Sequence, residues 1–267
     1  MLTIHPTAIV DSAAKLAEGV TVGPYSIIGA NVQLAAGGKV HSHVVIDGYT
    51  TIGEGTEIFP FAAVGVAPQD VSYKGEPTRL EIGKNNVIRE HCTLQPGTLK
   101  DQGLTKVGDN NLIMVGTHVA HDCIIGNNNW LTNNVMLAGH VVVEDFCVIG
   151  GLTGIHRSCH IGSYSIIGGA SAVDRDVLPF SMAVGNRAVH TGLNLRGLRR
   201  REFSRETIKA LKEAQSILFN NQQTLDDKVK VLKKFDVAEI KRIVTFIERS
   251  ERGLSSAADD ITTGEDV

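Results

Sequence analysis

An aliphatic residue recurs at every sixth position of this chain, and very few folds can use such a period. From Val10 it falls at Leu16, Val22, Ile28, Leu34, Val40, Ile46, Ile52, Ile58 and Val64 and resumes at Ile82, Ile88 and Leu94. After one slip it runs from Val107 through Ile113, Val119, Ile125, Leu131, Leu137, Val143, Ile149, Ile155, Ile161 and Ile167 to Val173. A helix buries residues at spacings of three and four and a strand buries alternate residues, so neither explains the run. A triangular coil does, with one short strand per side, one inward aliphatic side chain per strand and a turn at each corner. The corners show as Ile28-Gly29, Ile52-Gly53, Ile125-Gly126 and Ile149-Gly150. The expected fold is therefore mainly β, a hexapeptide-repeat parallel β-helix over residues 1–183, followed by a helical cap over 184–253 and an acidic, disordered tail over 254–267.

Three hexads complete a coil, so residues eighteen apart stack at about 4.8 Å, the spacing of neighbouring strands. Sequence offsets then become geometry: Gly139 lies over His121, His140 over Asp122, and His156 over Ala138. Two stretches interrupt the pattern. Residues 66–79 keep the hexad phase but lack its aliphatic residues and read as a loop thrown out from the coil, either a decoration or a carrier of ligand contacts through Gln69, Asp70, Tyr73 and Lys74. Residues 98–104 shift the phase by one. His41 and His43 sit at corners and read as solvated or interface groups.

Composition bounds the function. A chain of 267 residues suffices for one large core and a small appendage, and a net charge of −3 argues against nucleic acid as the main partner. No apolar run of about 18 residues occurs and the amino terminus is not signal-like, so a cytoplasmic protein without membrane insertion is expected. Cys92, Cys123, Cys147 and Cys159 each open a hexad, and none lies directly over another, so they read as reduced, buried small hydrophobes. Beyond Pro179 the hexads stop; Ser204 caps a helix to about residue 220, and further helices are expected near 224–235 and 237–251.

The chemistry gathers in His118, His121, His140, His156 and His160. Three readings fit: imidazoles from neighbouring coils or chains binding zinc, a histidine and carboxylate doing acid/base work, or ordinary corner polar groups, with the last favoured for His160. Asp122 can orient His121 and stabilise its protonated form. Gly139 supports acyl transfer, because its amide lies beside any carbonyl placed at the imidazole and no side chain obstructs it. No Ser or Cys stands beside the histidine, which favours direct transfer over a covalent acyl-enzyme.

The motifs His118-Val119-Ala120-His121-Asp122-Cys123, Leu137-Ala138-Gly139-His140, Gly154-Ile155-His156, the Gln69-Asp70 loop ending in Gly75-Glu76-Pro77-Thr78-Arg79, and Gly197-Leu198-Arg199-Arg200-Arg201 resemble, in that order, the UDP-N-acetylglucosamine O-acyltransferases that open lipid A synthesis. The resemblance implies a left-handed β-helix and a homotrimer with active sites between subunits. It implies transfer of an (R)-3-hydroxyacyl group from acyl carrier protein to the 3-hydroxyl of the UDP-sugar. No cofactor is implied beyond the phosphopantetheine of the carrier protein, and no metal. Carried over by motif, His121 is the general base, Asp122 its partner and Gly139 the oxyanion donor. Gln69, Asp70, Lys74, His118, His140, His156, Arg157, Asn194, Arg200 and Arg201 are expected to contact substrate, and Gly169 to leave the acyl groove long.

The chain departs from the family at Ser72, where a Lys is usual, at Gln95-Pro96, at Arg157-Ser158 and at Arg196. Lys74 is then the expected cation of the first loop, and Arg157 and Arg196 are candidates to restore lost positive charge. An acyltransferase with an amino-sugar acceptor and a UDP-sugar-binding protein without catalysis are the alternatives. Arg199, Arg200, Arg201 and Arg205 form a basic patch suited to an acidic carrier protein.

Overall fold

The computed structural model describes residues 1–220 and 223–257. Short strands, most of them two residues long, build three parallel sheets. The first sheet has eleven strands, from Thr3–Ile4 to Val189–Leu193; the second has nine, from Ile9–Val10 to Ala172–Val173; the third has eight, from Lys15–Leu16 to His160–Ile161. The chain visits the sheets in rotation, which makes a three-sided prism. Register follows the repeat: His118 pairs with Met136, and Met136 with Gly154.

From the second coil onward, the second side chain of each two-residue strand points inward and is buried, while the first faces out. The columns of Ile28, Ile46, Val64, Leu94, Val119, Leu137 and Ile155 therefore form one continuous apolar core. Each such side chain contributes roughly 1.5–3 kcal/mol by leaving water. A second column is polar: the side-chain oxygen of Asn86 accepts from Asn111, that of Asn111 from the Asn129 amide at 2.8 Å, and that of Asn129 from the Cys147 amide at 2.7 Å. Each buried amide thus satisfies the coil above it. The four cysteines are free and buried, and burial pushes the thiols of Cys123 and Cys147 up to about 12.

Both interruptions leave from the corner between the second and third sheets. Ile82 pairs with Ile52, thirty positions back, so the loop over residues 66–79 contains an insertion of two whole hexads, which is why the phase survives it. Val107 pairs with Ile82 at twenty-five positions, so the second insertion is seven residues rather than the one that the phase alone registers.

His41 lies 2.8 Å from Glu57 and stacks on Phe59 at 4.5 Å. His43 stands between Tyr25 and Phe61 in a ladder of rings that continues to His91 along the corner between the first and second sheets.

Past the last coil the chain does not go straight to helix. Ser181–Val184 extends the first sheet in parallel and then pairs antiparallel with Val189–Leu193. Four helices follow: α1 (Leu195–Arg200), α2 (Arg205–Leu218), α3 (Leu225–Leu232) and α4 (Ala238–Arg249). Ser204 caps α2 by accepting from the Thr207 amide, as its position before the apolar pattern predicts, whereas the short α1, with Leu198 its one buried residue, and the hairpin have no apolar pattern to announce them. Leu211, Ala214, Leu218, Leu232, Ile240, Ile243 and Phe246 close a second core over Leu178 and Phe180.

The tail expected to be disordered from residue 254 is ordered at its start. Leu254 bridges to Asp176 and Ala257 to His190, because the polar edge of the last coil offers backbone partners there. Asp259, Asp260, Glu265 and Asp266 lie outside the described residues. Among the described residues no helix is long and apolar enough to cross a membrane.

Candidate active site

The corner between the second and third sheets concentrates the chemistry. His118–Val119 ends one strand and Ile124–Ile125 begins the next, so Ala120, His121, Asp122 and Cys123 make the turn between them. Asp122 takes a left-handed backbone, φ 61°, a conformation that Asp tolerates better than most residues. Its side chain turns inward and is 1 % exposed. Burial of a carboxylate is tolerable only with partners, and three are present. The Thr98 amide donates at 2.8 Å, the Thr98 hydroxyl at 2.7 Å and His121 Nδ1 at 2.8 Å.

A carboxylate only accepts, so the proton of the neutral His121 ring sits on Nδ1 and the lone pair on Nε2. Gly139 stacks directly on this ring, as the eighteen-residue offset requires. A Cβ at 139 would lie 2.6 Å from Cε1 and 2.8 Å from Nε2, so only glycine leaves the ring where it stands. His140 follows in the next turn with φ 63°; its ring meets that of His121 edge-on at 5.1 Å, and its Nε2 is 3.7 Å from Asp122.

Other expected contacts converge on the same corner. His118 projects outward from the second sheet with Nδ1 2.6 Å from the Thr93 hydroxyl; burial first, and then the neighbouring His121, hold its pKa below the ordinary histidine range. His156 is exposed one coil beyond Ala138 and its Nδ1 lies 3.2 Å from the Arg157 carbonyl oxygen. Arg157 Nη2 stands 3.4 Å from His140 Nε2. In the first loop the Gln69 amide donates to the buried Gln95 side chain at 3.2 Å.

Asp70 of that loop is held by a cation from the other insertion. Lys100, from the second insertion, bonds Asp70 at 2.9 Å, whereas Lys74 is exposed and its amide pairs with Glu76. The Lys100 hydrogen bond, reinforced by the amide and hydroxyl of Ser72, holds the Asp70 carboxyl far below the usual carboxylate range. Thr98, Lys100 and Asp101 were not legible as site residues, because the insertion that carries them breaks the ladder.

Other expected residues lie elsewhere in a single chain. Gly169 is exposed at the corner between the first and second sheets, 3.2 Å from the Gly151 carbonyl when given a Cβ. Asn194 caps α1 by accepting from the Gly197 amide and donates to the Tyr164 carbonyl at 2.8 Å. Arg200 lies over Trp130 and Arg201 over Phe146, lining a cavity of about 200 Å³ on the first sheet. Arg196 is exposed on α1. His160 belongs to the cap junction, with Nε2 3.0 Å from Glu144 and its ring 4.5 Å from Phe246.

One donor set has metal-like spacing: ligand atoms of His121, Asp122 and His140 lie within 4.8 Å of one another. Asp122 already accepts three hydrogen bonds there, and His121 Nδ1 is one of its donors. A metal would have to displace that network rather than complete it.

The family model for domain 2 of UDP N-acetylglucosamine O-acyltransferase matches residues 176–255. An acyl-[acyl-carrier-protein]--UDP-N-acetylglucosamine O-acyltransferase of Thiobacillus denitrificans is 47 % identical over 256 residues, 95 % of this chain and 99 % of that protein. Among solved structures, LpxA from Acinetobacter baumannii superposes with a TM-score of 0.92 at 49 % identity, covering 94 % of this chain and 99 % of the other. The UDP-N-acetylglucosamine O-acyltransferase (LpxA) from Moraxella catarrhalis gives 0.92 at 44 %, with the same coverage. The prism is accordingly the left-handed parallel β-helix of these enzymes. With nearly half of its residues shared along almost the whole length, this chain belongs to the UDP-N-acetylglucosamine O-acyltransferase family.

Proposed function

We propose that the protein transfers an (R)-3-hydroxyacyl group from acyl carrier protein to the 3-hydroxyl of UDP-N-acetylglucosamine, the first step of lipid A synthesis, with His121 as general base. The observation that carries this reading is the Asp122–His121–Gly139 stack: a fixed imidazole lone pair with a bare backbone over it. Nε2 takes the proton of the sugar hydroxyl as its oxygen attacks the thioester carbonyl. The negative charge moves to the carbonyl oxygen, where the Gly139 amide donates a hydrogen bond. Collapse of the intermediate breaks the carbon–sulfur bond, and the imidazolium returns its proton to the departing phosphopantetheine thiolate. Asp122 stabilises the imidazolium while it lasts. Neither an acyl-enzyme nor a metal is needed, and the acyl donor arrives on its own carrier.

The remaining substrate residues join this site in a homotrimer. Gly169 and the Arg200–Arg201 cavity lie away from the His121 corner within one chain, and packing around a three-fold axis offers the way to bring a neighbour's copies to it. The outward face of the second sheet is apolar at Ile9, Ile27 and Met136, and the adjoining corner exposes Tyr25, Phe61 and Leu152, a surface suited to self-association. Exposed Arg199 and Arg205, beside Arg200 and Arg201, suit an acidic carrier protein.

The test is product identity. Incubation with (R)-3-hydroxyacyl carrier proteins and UDP-N-acetylglucosamine should yield a UDP-sugar heavier by one acyl group, with the ester at the 3-position by NMR and no sensitivity to chelators. A product formed only on the 3-amino sugar would move the acceptor to nitrogen. Loss of activity on chelation, restored by zinc, would favour the metal reading of His121, Asp122 and His140.

A further inference from the structure

The seven-residue insertion has no place in the acyl-transfer steps, yet its first residues reach three separate parts of the site. Thr98 gives its amide and hydroxyl to Asp122 at 2.8 and 2.7 Å. Lys100 reaches across to the other loop and bonds both oxygens of Asp70, at 3.0 and 2.9 Å. Asp101 turns toward the next coil, where its carboxylate lies 3.1 Å from His140 Nδ1.

The loop is built to hold this shape. The Thr98 carbonyl accepts from the amides of Asp101 and Gly103, at 3.3 and 3.1 Å. At the neck a Cβ on Gly97 would lie 2.0 Å from the Leu104 nitrogen, so the two ends pass backbone to backbone. The Gly97 amide donates to Arg79, and the Arg79 amide to Gly103, which fastens this neck to the strand that ends the first loop. Both insertions are thus tied together at the base and, through Lys100, at the tip.

We propose that residues 98–104 are a clasp for the sugar end of the site, with Lys100 and Asp101 as positioning residues that act through Asp70 and His140. This rests on the reading that Asp70 and His140 contact the UDP-sugar. Lys100 fixes where Asp70 points: without it a carboxylate on a fourteen-residue loop would keep only its local Ser72 contacts. Asp101 fixes which hydrogen bond His140 offers. A carboxylate only accepts, so His140 carries its proton on Nδ1. Arg157, which only donates, faces the lone pair of Nε2 at 3.4 Å. The clasp therefore turns the Nε2 lone pair of His140 outward, where a substrate hydroxyl can replace the long 3.4 Å contact from Arg157, and leaves Asp70 as a second acceptor with its charge already half-satisfied. Neither Lys100 nor Asp101 touches the reacting atoms.

Steady-state transfer to UDP-N-acetylglucosamine by Lys100→Ala and Asp101→Ala, each against the native chain, tests this. The expected result is a rise in the KM for the sugar nucleotide of about tenfold in each variant, with kcat and the KM for the acyl carrier protein within about twofold of native. Lys100→Arg, which can still bond both oxygens, and Asp101→Asn, whose amide oxygen still accepts from Nδ1, should restore the native KM. Native sugar KM in both alanine variants would overturn the clasp. So would losses shared equally by kcat and melting temperature and not rescued by the conservative changes, because that pattern marks a loop needed only for folding. A native chain that transfers nothing to UDP-N-acetylglucosamine would instead overturn the underlying reading of the substrate.

Discussion

At the scale of single residues, the site depends on one missing methyl group and one buried carboxylate. Gly139→Ala would drive a Cβ to 2.6 Å from His121 Cε1, and the ring is the more mobile partner. Turnover should fall by about 10² or more while the melting temperature changes little, since the lesion lies on an outer corner. Asp122→Asn replaces an acceptor of three hydrogen bonds by a group that must turn an NH2 toward Thr98 or His121. It should cost about 1–3 kcal/mol in urea melts and release the imidazole from its tautomer, with activity down at least about 10²-fold. The His121–Asp122 pair and the glycine above it were legible in the sequence, because a strict period converts an offset of eighteen into contact. The Lys100–Asp70 and Thr98–Asp122 bonds were not: they span thirty and twenty-four positions through loops whose course no period dictates.

At the scale of elements, the coils were legible one by one, while the transition to the cap was not. The hairpin of Ser181–Val184 and Val189–Leu193 carries too few inward aliphatics to register, and α1 has one buried residue, Leu198, in six. α2 announced itself through Ser204, and Ser204→Ala should lower stability by about 1 kcal/mol in thermal melts. The joint between hairpin and helix is acid-sensitive. His190 is buried against Phe219 at 4.1 Å, and burial pushes its imidazole from 6.5 down to about 4, against a hydrogen bond to the Gln215 side chain that raises it. The unfolded chain protonates near 6.5 and the folded one only near 4, so stability present above pH 6.5 is lost as pH falls through this window. The loss should reach on the order of 3 kcal/mol. Urea melts at pH 7 and 4.5 should show it, and His190→Phe should remove most of the difference.

At the scale of the whole molecule, one prism and one cap divide the labour: the prism rules the positions of His121, Gly139 and His140, and the cap sets Arg200 and Arg201 against the first sheet. The apolar face of the second sheet should hold three copies together. Light scattering should give a trimer, and Ile27→Asp combined with Phe61→Asp should yield folded monomers with little transferase activity. A native monomer with full activity would remove the need for shared sites.

The most direct test of the catalytic claim is the rate at which thiol is released from (R)-3-hydroxyacyl carrier protein with and without UDP-N-acetylglucosamine, native chain against His121→Ala. Native release should require the sugar, and the variant, folded by circular dichroism and melting, should lose about 10³-fold in kcat with the sugar KM little changed. Release by the variant at a near-native rate, or release by the native chain that ignores the sugar, would contradict His121 as the base in a direct transfer.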